Sequence, residues 1–236
     1  MSRPVLEQIA GSVCAEGPKT IVEIGPGQGA LTELLLDSGA QVHAIELDPL
    51  MIVALERRFP GRAGLTLHQA DVLDVDLTQW GPAALAGNLP YYITSPILDR
   101  IRQARTAIGT STLLIQREVA DRVIAKPKSR DYGYLTVVTQ SWAEASFVVA
   151  VPPESFRPPP KVDSAVVRLA SKAEVPEDLD AFLKFAGHAF RQKRKNLRNN
   201  LNGVYPNADW ANLAERTLRA EQLSIAELRE LWHKLS

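Results

Sequence analysis

From residue 20 to residue 128 the chain alternates short apolar runs with longer segments whose apolar positions recur every three or four residues. The runs at 20–24, 41–46, 65–69, 83–87 and 111–116 have the length and composition of buried strands. The segments between them carry helical spacing, as in Leu31, Leu34, Leu35 and Leu36. Strands that alternate with helices predict a parallel, doubly wound α/β sheet, because each crossover must return the chain to the same edge. Two more strand-like runs, 147–151 and 165–169, flank a proline-rich loop and predict a terminal antiparallel pair. Residues 171–177 are polar, contain Pro176 and read as a linker. Beyond them every segment has a helical pattern: 178–190, 193–201, 210–217 and 225–235. The expected organisation is a sheet domain over residues 1–170 and a small all-helical domain over 171–236.

At 236 residues and 45% hydrophobic side chains, the chain can bury one large core plus a small appendage. The longest apolar run is Leu50 to Leu55, too short to span a bilayer, and no secretory leader is evident. A single cysteine, Cys14, points to a reducing compartment, so a cytoplasmic location is expected, and separately a monomer. His43, His68, His188 and His233 are scattered, and the single Cys14 has no partner at ligand spacing, so no metal is expected. The formal net charge of zero conceals an asymmetry. Residues 1–99 carry 5 basic and 12 acidic side chains, and residues 100–236 carry 22 basic and 15 acidic. A basic half beside an acidic one suits a polyanionic partner.

Chemistry concentrates where the strand-like runs end. The first is followed by Gly25, Gly27 and Gly29 and then by a helix, a turn that lets the backbone pass close to a nucleotide-type ligand. Gly25, Gly27 and Ala30 also satisfy the dinucleotide pattern, and Glu46, ending the second run, would accept ribose hydroxyls in either case. NAD and S-adenosylmethionine therefore both remain open at this point. Asp71, ending the third run, can accept an adenine amine, and no nicotinamide half-site or hydride acceptor is evident. After the fourth run come Asn88, Leu89, Pro90 and Tyr91. The Asn88 amide oxygen and the Leu89 carbonyl can accept the two hydrogens of an adenine amine, with Pro90 fixing the turn and Tyr91 stacking on the base. The same four residues also read as a plain strand end closed by a turn under an aromatic lid.

Taken together, Glu23-x-Gly25-x-Gly27-x-Gly29, Glu46, Asp71, Asn88-Leu-Pro-Tyr91 and the stretch from Val151 through Phe156 to Val167 resemble the small-subunit ribosomal RNA adenine dimethyltransferases. The likeness runs from about Leu6 to the C-terminus and includes the block 190–201, which separates this family from related large-subunit rRNA methyltransferases. It implies a Rossmann-like methyltransferase sheet that binds S-adenosylmethionine. It also implies transfer of two methyl groups to N6 of each of two adjacent adenosines near the 3′ end of small-subunit rRNA, in the immature subunit. It places Glu23, Gly25, Gly27, Glu46, Leu47, Asp71, Val72 and Asn88 at the donor, and Tyr91 and Phe156 against the target base. Family members usually begin with a Gly-Gln-Asn/His-Phe-Leu segment that folds over the donor, whereas this sequence starts downstream at Met1-Ser-Arg-Pro. Weak donor binding is therefore expected.

Two basic segments stand out. Arg122, Lys126, Lys128 and Arg130 surround a proline loop, and Arg191, Lys193, Arg194, Lys195 and Arg198 fall within eight residues that contain no acid. On a helix, 191, 194, 195 and 198 would share one face and could meet a phosphate track, although a short charge run also reads as a solvated face. Other readings kept in view are an adenine methyltransferase acting on other RNA or DNA, a dehydrogenase, and a non-catalytic ribosome-assembly factor.

Overall fold

The computed structural model describes residues 1–90 and 93–236. Among them, seven strands form one sheet: β1 (Thr20–Ile24), β2 (Gln41–Glu46), β3 (Leu65–Gln69), β4 (Ala83–Asn88), β5 (Ile108–Gln116), β6 (Ala143–Val151) and β7 (Ser164–Ser171). Their spatial order is β3-β2-β1-β4-β5-β7-β6, with parallel pairing from β3 through β5 and β7 antiparallel to both its neighbours. The reversed strand thus lies one place in from the edge, which β6 occupies. The helices are α1 (Arg3–Cys14), α2 (Ala30–Asp37), α3 (Pro49–Arg58), α4 (Thr94–Gln103), α5 (Arg117–Val123), α6 (Tyr134–Gln140), α7 (Leu179–Ala189), α8 (Leu197–Leu201) and α9 (Ile225–Leu235).

The central strands are covered on both faces, which is why they read as near-continuous apolar runs. On one face Val5, Leu6, Ile9 and Val13 of α1 and Leu31, Leu35 and Leu36 of α2 pack against Ile21, Val42, Ala84, Ala86 and Leu114. Alanines at 84 and 86 let α1 approach β4 closely. Strand residues of opposite parity, among them Val22, Ile24, Ile45, Leu85 and Leu113, are buried on the other face. Ile97, Leu98 and Ile101 of α4 are likewise buried.

Contacts group the chain into two units, Met1–Ala120 with Ala143–Ser171, and Asp121–Trp142 with Lys172–Ser236. Residues 121–142, which the expected division at 170/171 assigns to the sheet domain, therefore group with the C-terminal helices. Hydrogen bonds account for this: the Lys128 N–H donates to the Glu221 carbonyl at 3.1 Å, and Lys193 Nζ to the Arg130 carbonyl at 3.3 Å. The buried Tyr132 ring also lies 6.2 Å from that of Phe190. Redrawing the division tempers the charge asymmetry. The second unit carries 15 basic and 11 acidic side chains against 12 and 16 in the first, because Arg100, Arg102, Arg105, Arg117, Arg157, Lys161 and Arg168 stay with the sheet.

Two expected helices are shorter than their patterns. α8 begins only at Leu197, because Asn196 caps it by accepting from the Asn199 N–H at 2.9 Å. Asn200 Nδ2 donates to the carbonyls of Ala189 (2.8 Å) and Gln192 (3.2 Å), satisfying the end of α7 and turning the chain. Within 210–217 a single 3₁₀ turn, Ala214–Thr217, replaces the helix; Asn212 bonds Asp209 at 2.6 Å instead of supporting a helical ladder. Among the described residues, no helix is long and apolar enough to cross a membrane, and no group of three potential metal ligands occurs.

Candidate active site

The strand order turns in opposite directions from β1 and β4, and in such sheets the crevice at the carboxyl ends of those strands receives ligands. Gly25, just past β1, has φ 67°, a conformation that L side chains rarely adopt. A Cβ built on it would lie 3.5 Å from the Asn88 backbone oxygen. The glycine turn and the end of β4 are thus in near contact.

Glu46, at the end of β2, is fixed by two backbone donors. Its Oε2 accepts from the Gly27 N–H at 3.2 Å and its Oε1 from the Asp48 N–H at 3.0 Å, so one carboxylate joins the glycine turn to the start of α3. Asp48 caps α3 by accepting from the Leu50 N–H at 2.8 Å, with Pro49 in the first turn. Asp71 lies just past β3 and holds its own loop, its Oδ1 accepting from the Leu73 N–H at 2.9 Å. These ends enclose a cleft of about 250 Å³. Gly25, Glu46, Leu47, Asp48 and Asp71 supply its polar and open side, and Ile24, Ile45, Val72, Pro90, Ile93 and Ile97 its apolar walls. An apolar cleft rimmed by carboxylates suits an adenosyl group, with acceptors for ribose hydroxyls and for a base amine.

The Asn88 turn is anchored from below. Leu89 is 1% exposed, and its N–H extends the β4–β5 ladder to the Leu114 carbonyl at 3.0 Å. The Pro90 carbonyl is occupied by the Ile93 N–H (3.2 Å) and Thr94 Oγ1 (3.3 Å). Among the described residues no donor reaches the Leu89 carbonyl, and the exposed Asn88 side chain has no partner. Tyr91 lies outside the described residues. Phe156 is half-buried against the apolar cluster of α1 and the sheet, in the loop 152–163. Since β6 runs in the direction of β5, that loop leaves the sheet at the same edge as Asn88.

Glu23 departs from its expected place. It is 1% exposed, does not line the cleft, and accepts from Thr32 Oγ1 at 2.6 Å. Burial pushes its carboxyl up to about 7, against the pull of the Thr32 bond and with a further push from Glu46. The pair ties β1 to α2 beneath the glycine turn, so Glu23 supports the turn instead of facing the cleft. Thr32, Asp48, Ile93 and Ile97 were not legible as site residues. Only the Asp48-Pro49 pair, a helix-start signature, carried a local signal.

The basic residues Arg122, Lys126, Lys128, Arg130, Arg191, Lys193, Arg194, Lys195 and Arg198 are all exposed and all belong to the second unit. They do not form the expected helical face. Residues 191–195 make turns between α7 and α8, and Arg198 alone of that group is helical. The fold instead brings the two segments side by side through the bond from Lys193 to the Arg130 carbonyl. Lys128 holds φ 69°, a left-handed conformation rare outside glycine, with its N–H bonded to Glu221.

Comparison with known proteins agrees with this architecture. A ribosomal RNA small subunit methyltransferase A of Pseudomonas fluorescens is 38% identical over 240 residues, covering 98% of this chain and 89% of the relative. That of Acidobacterium capsulatum is 41% identical over 232 residues, covering 93% and 82%. The crystal structure of the 23S rRNA methyltransferase ErmE matches with a TM-score of 0.76 at 30% identity, over 100% of this chain and 98% of that one. A dimethyladenosine transferase from Plasmodium falciparum shares the fold with a TM-score of 0.83 at 23% identity, over 99% and 97%. The family described as ribosomal RNA adenine dimethylase matches residues 1–235, and this chain belongs to it.

Proposed function

We propose that this protein methylates N6 of two adjacent adenosines near the 3′ end of small-subunit rRNA, twice each, during maturation of the subunit. The observation that carries the reading is the near contact of the Gly25 turn with Asn88 at the mouth of an acid-rimmed apolar cleft. S-adenosylmethionine, when bound there, supplies an electrophilic methyl group on a sulfonium. Glu46 would accept its ribose hydroxyls and Asp71 its adenine amine, with Leu47 and Val72 against the base.

The chain's own groups prepare the nucleophile. An adenine amine is flattened by conjugation with its ring. Two acceptors, Asn88 Oδ1 and the Leu89 carbonyl, draw its hydrogens to one side and direct the lone pair to the other. Tyr91 and Phe156 stack on the extruded base, at about 1–3 kcal/mol per contact, offsetting much of the few kcal/mol that unstacking costs. Catalysis is then positioning and polar preorganisation, and no general base is needed, because a methylated amine cation is acidic enough to release its proton to water or a carbonyl. The paired basic segments of the second unit would neutralise rRNA phosphates.

The test is methyl transfer to immature small subunits with labelled donor, followed by nucleoside analysis. The expected product is N6,N6-dimethyladenosine at two adjacent positions. Binding of the subunits without methyl transfer would favour an assembly factor, and labelling of duplex DNA in preference to rRNA would reassign the substrate.

A further inference from the structure

The loop that follows β3 carries Asp71 and Val72 into the cleft, and it is held from outside by a residue without any assigned role. Arg100, on α4, donates through Nη2 to the Val75 carbonyl at 2.6 Å and through Nη1 to Gln103 Oε1 at 3.2 Å. Its Nε is buried without a hydrogen-bond partner among the described residues. A guanidinium that leaves one buried N–H unpartnered in order to reach a main-chain carbonyl is costly to retain for fold stability alone. The bond spans two parts of the site. α4 begins at Thr94, whose hydroxyl is bonded to the Pro90 carbonyl of the Asn88 turn. One short helix therefore has its first residue on the turn proposed to hold the target amine and its second turn on the loop proposed to hold the donor base. The charge of Arg100 also helps lower the Asp76 carboxyl on the same loop, behind the Thr78 bonds that chiefly lower it.

Resting on the reading of the cleft as the donor site, we infer that Arg100 is a positioning residue for the methyl donor: it pins the Asp71–Val75 loop to the helix that leaves the Asn88 turn. A second arginine offers an internal comparison. Arg58 of α3 donates to the Gln28 carbonyl of the glycine turn at 2.9 Å, but it shares its charge with Glu33 at 3.0 Å and its side chain is 40% exposed. Its removal should matter less.

The experiment uses the full chain with Arg100→Met, which keeps the stem and loses the guanidinium, and Arg100→Lys. Donor affinity is measured by titration calorimetry, KM for the donor and kcat on immature subunits by methyl incorporation, and exchange of the Leu73 and Asp74 amides without ligand. Those amides bond Asp71 Oδ1 and the Asp71 carbonyl at 2.9 and 3.0 Å. In R100M, Kd and KM for the donor should rise about tenfold, the size of one charge-assisted hydrogen bond, while kcat at saturating donor stays within about threefold. The two amides should exchange faster, β1 and β2 amides should be unchanged, and R100K should recover part of the affinity. Equal donor affinity in R100M and the unaltered chain would overturn the inference alone. So would unchanged exchange at Leu73 and Asp74 in R100M, or in R100A should R100M fail to fold. No donor binding by the unaltered chain would remove the reading of the cleft and this inference with it.

Discussion

The cleft of the first unit and the basic surface of the second are built in opposite ways. Around the cleft, contacts are short and internally fixed: Glu46 accepts from two backbone amides, Asp71 from one, and Leu89 is buried beneath the turn it carries. The basic segments are exposed long side chains, most of them on turns, and Lys193 reaches the Arg130 carbonyl between them. Rigid polar groups at fixed spacing discriminate one atom of one base. Exposed cations on long side chains can follow a phosphate backbone without reading it. The difference implies that the two regions can be broken separately.

The largest separation is expected from Asn88→Ala. Loss of an acceptor made for the reacting amine should lower turnover by about 10²–10³ or more. RNA affinity should stay within about twofold, since phosphate contacts dominate it. A comparable loss of both in filter-binding and methylation assays would make Asn88 structural.

Lys193→Ala with Arg194→Ala should do the reverse. If the surface meets about four phosphates, log affinity falls against log salt with a slope of about −3 to −4, and the double variant should flatten it by about 2. Methyl transfer at saturating RNA should change little. An unchanged slope would return these residues to the solvated surface.

The smallest effect is on stability against pH. Glu23 is raised to about 7 in the fold from its ordinary value of 4.5. Its contribution is therefore fully present below pH 4.5 and is lost as pH rises through 7, a decline on the order of a few kcal/mol. Glu23→Gln should lose this decline, becoming relatively more stable from pH 5 to 7 in denaturant titrations. His43 and His68 act with the opposite sign. Their rings face each other at 3.2 Å between Nδ1 and Nε2, and Trp80 stacks on His43 at 5.1 Å. Burial lowers both, helped at His43 by the charge of His68, so their contribution is present above pH 6.5 and is lost as pH falls below it through their lowered values.

How much was legible in the sequence follows from the same contrast. β1, β2 and β3 have the bounds that the apolar runs predict, since their signal is local. β6 begins at Ala143, four residues before its apolar run, because its first four residues are two small alanines alternating with the exposed Glu144 and Ser146, which breaks the apolar pattern. The basic run looked helical because charge spacing says nothing of caps, and Asn196 and Asn200 interrupt it. Glu23 read as a donor contact because the motif fixes its place on β1 but not the face that meets Thr32. Arg100 was invisible: its partner is a backbone carbonyl 25 residues away, and carbonyls leave no trace in composition.

The central claim is that the Gly25 turn and the Asn88 turn hold the methyl donor and an adenine amine side by side. A crystal structure of the full chain with a non-reactive donor analogue and adenosine tests it most directly. The account predicts the analogue against Gly25, Glu46 and Asp71, and the adenine N6 within hydrogen-bonding distance of both Asn88 Oδ1 and the Leu89 carbonyl. An adenine bound with its amine turned away from Asn88, or an analogue bound outside the β1–β4 crevice, would contradict it.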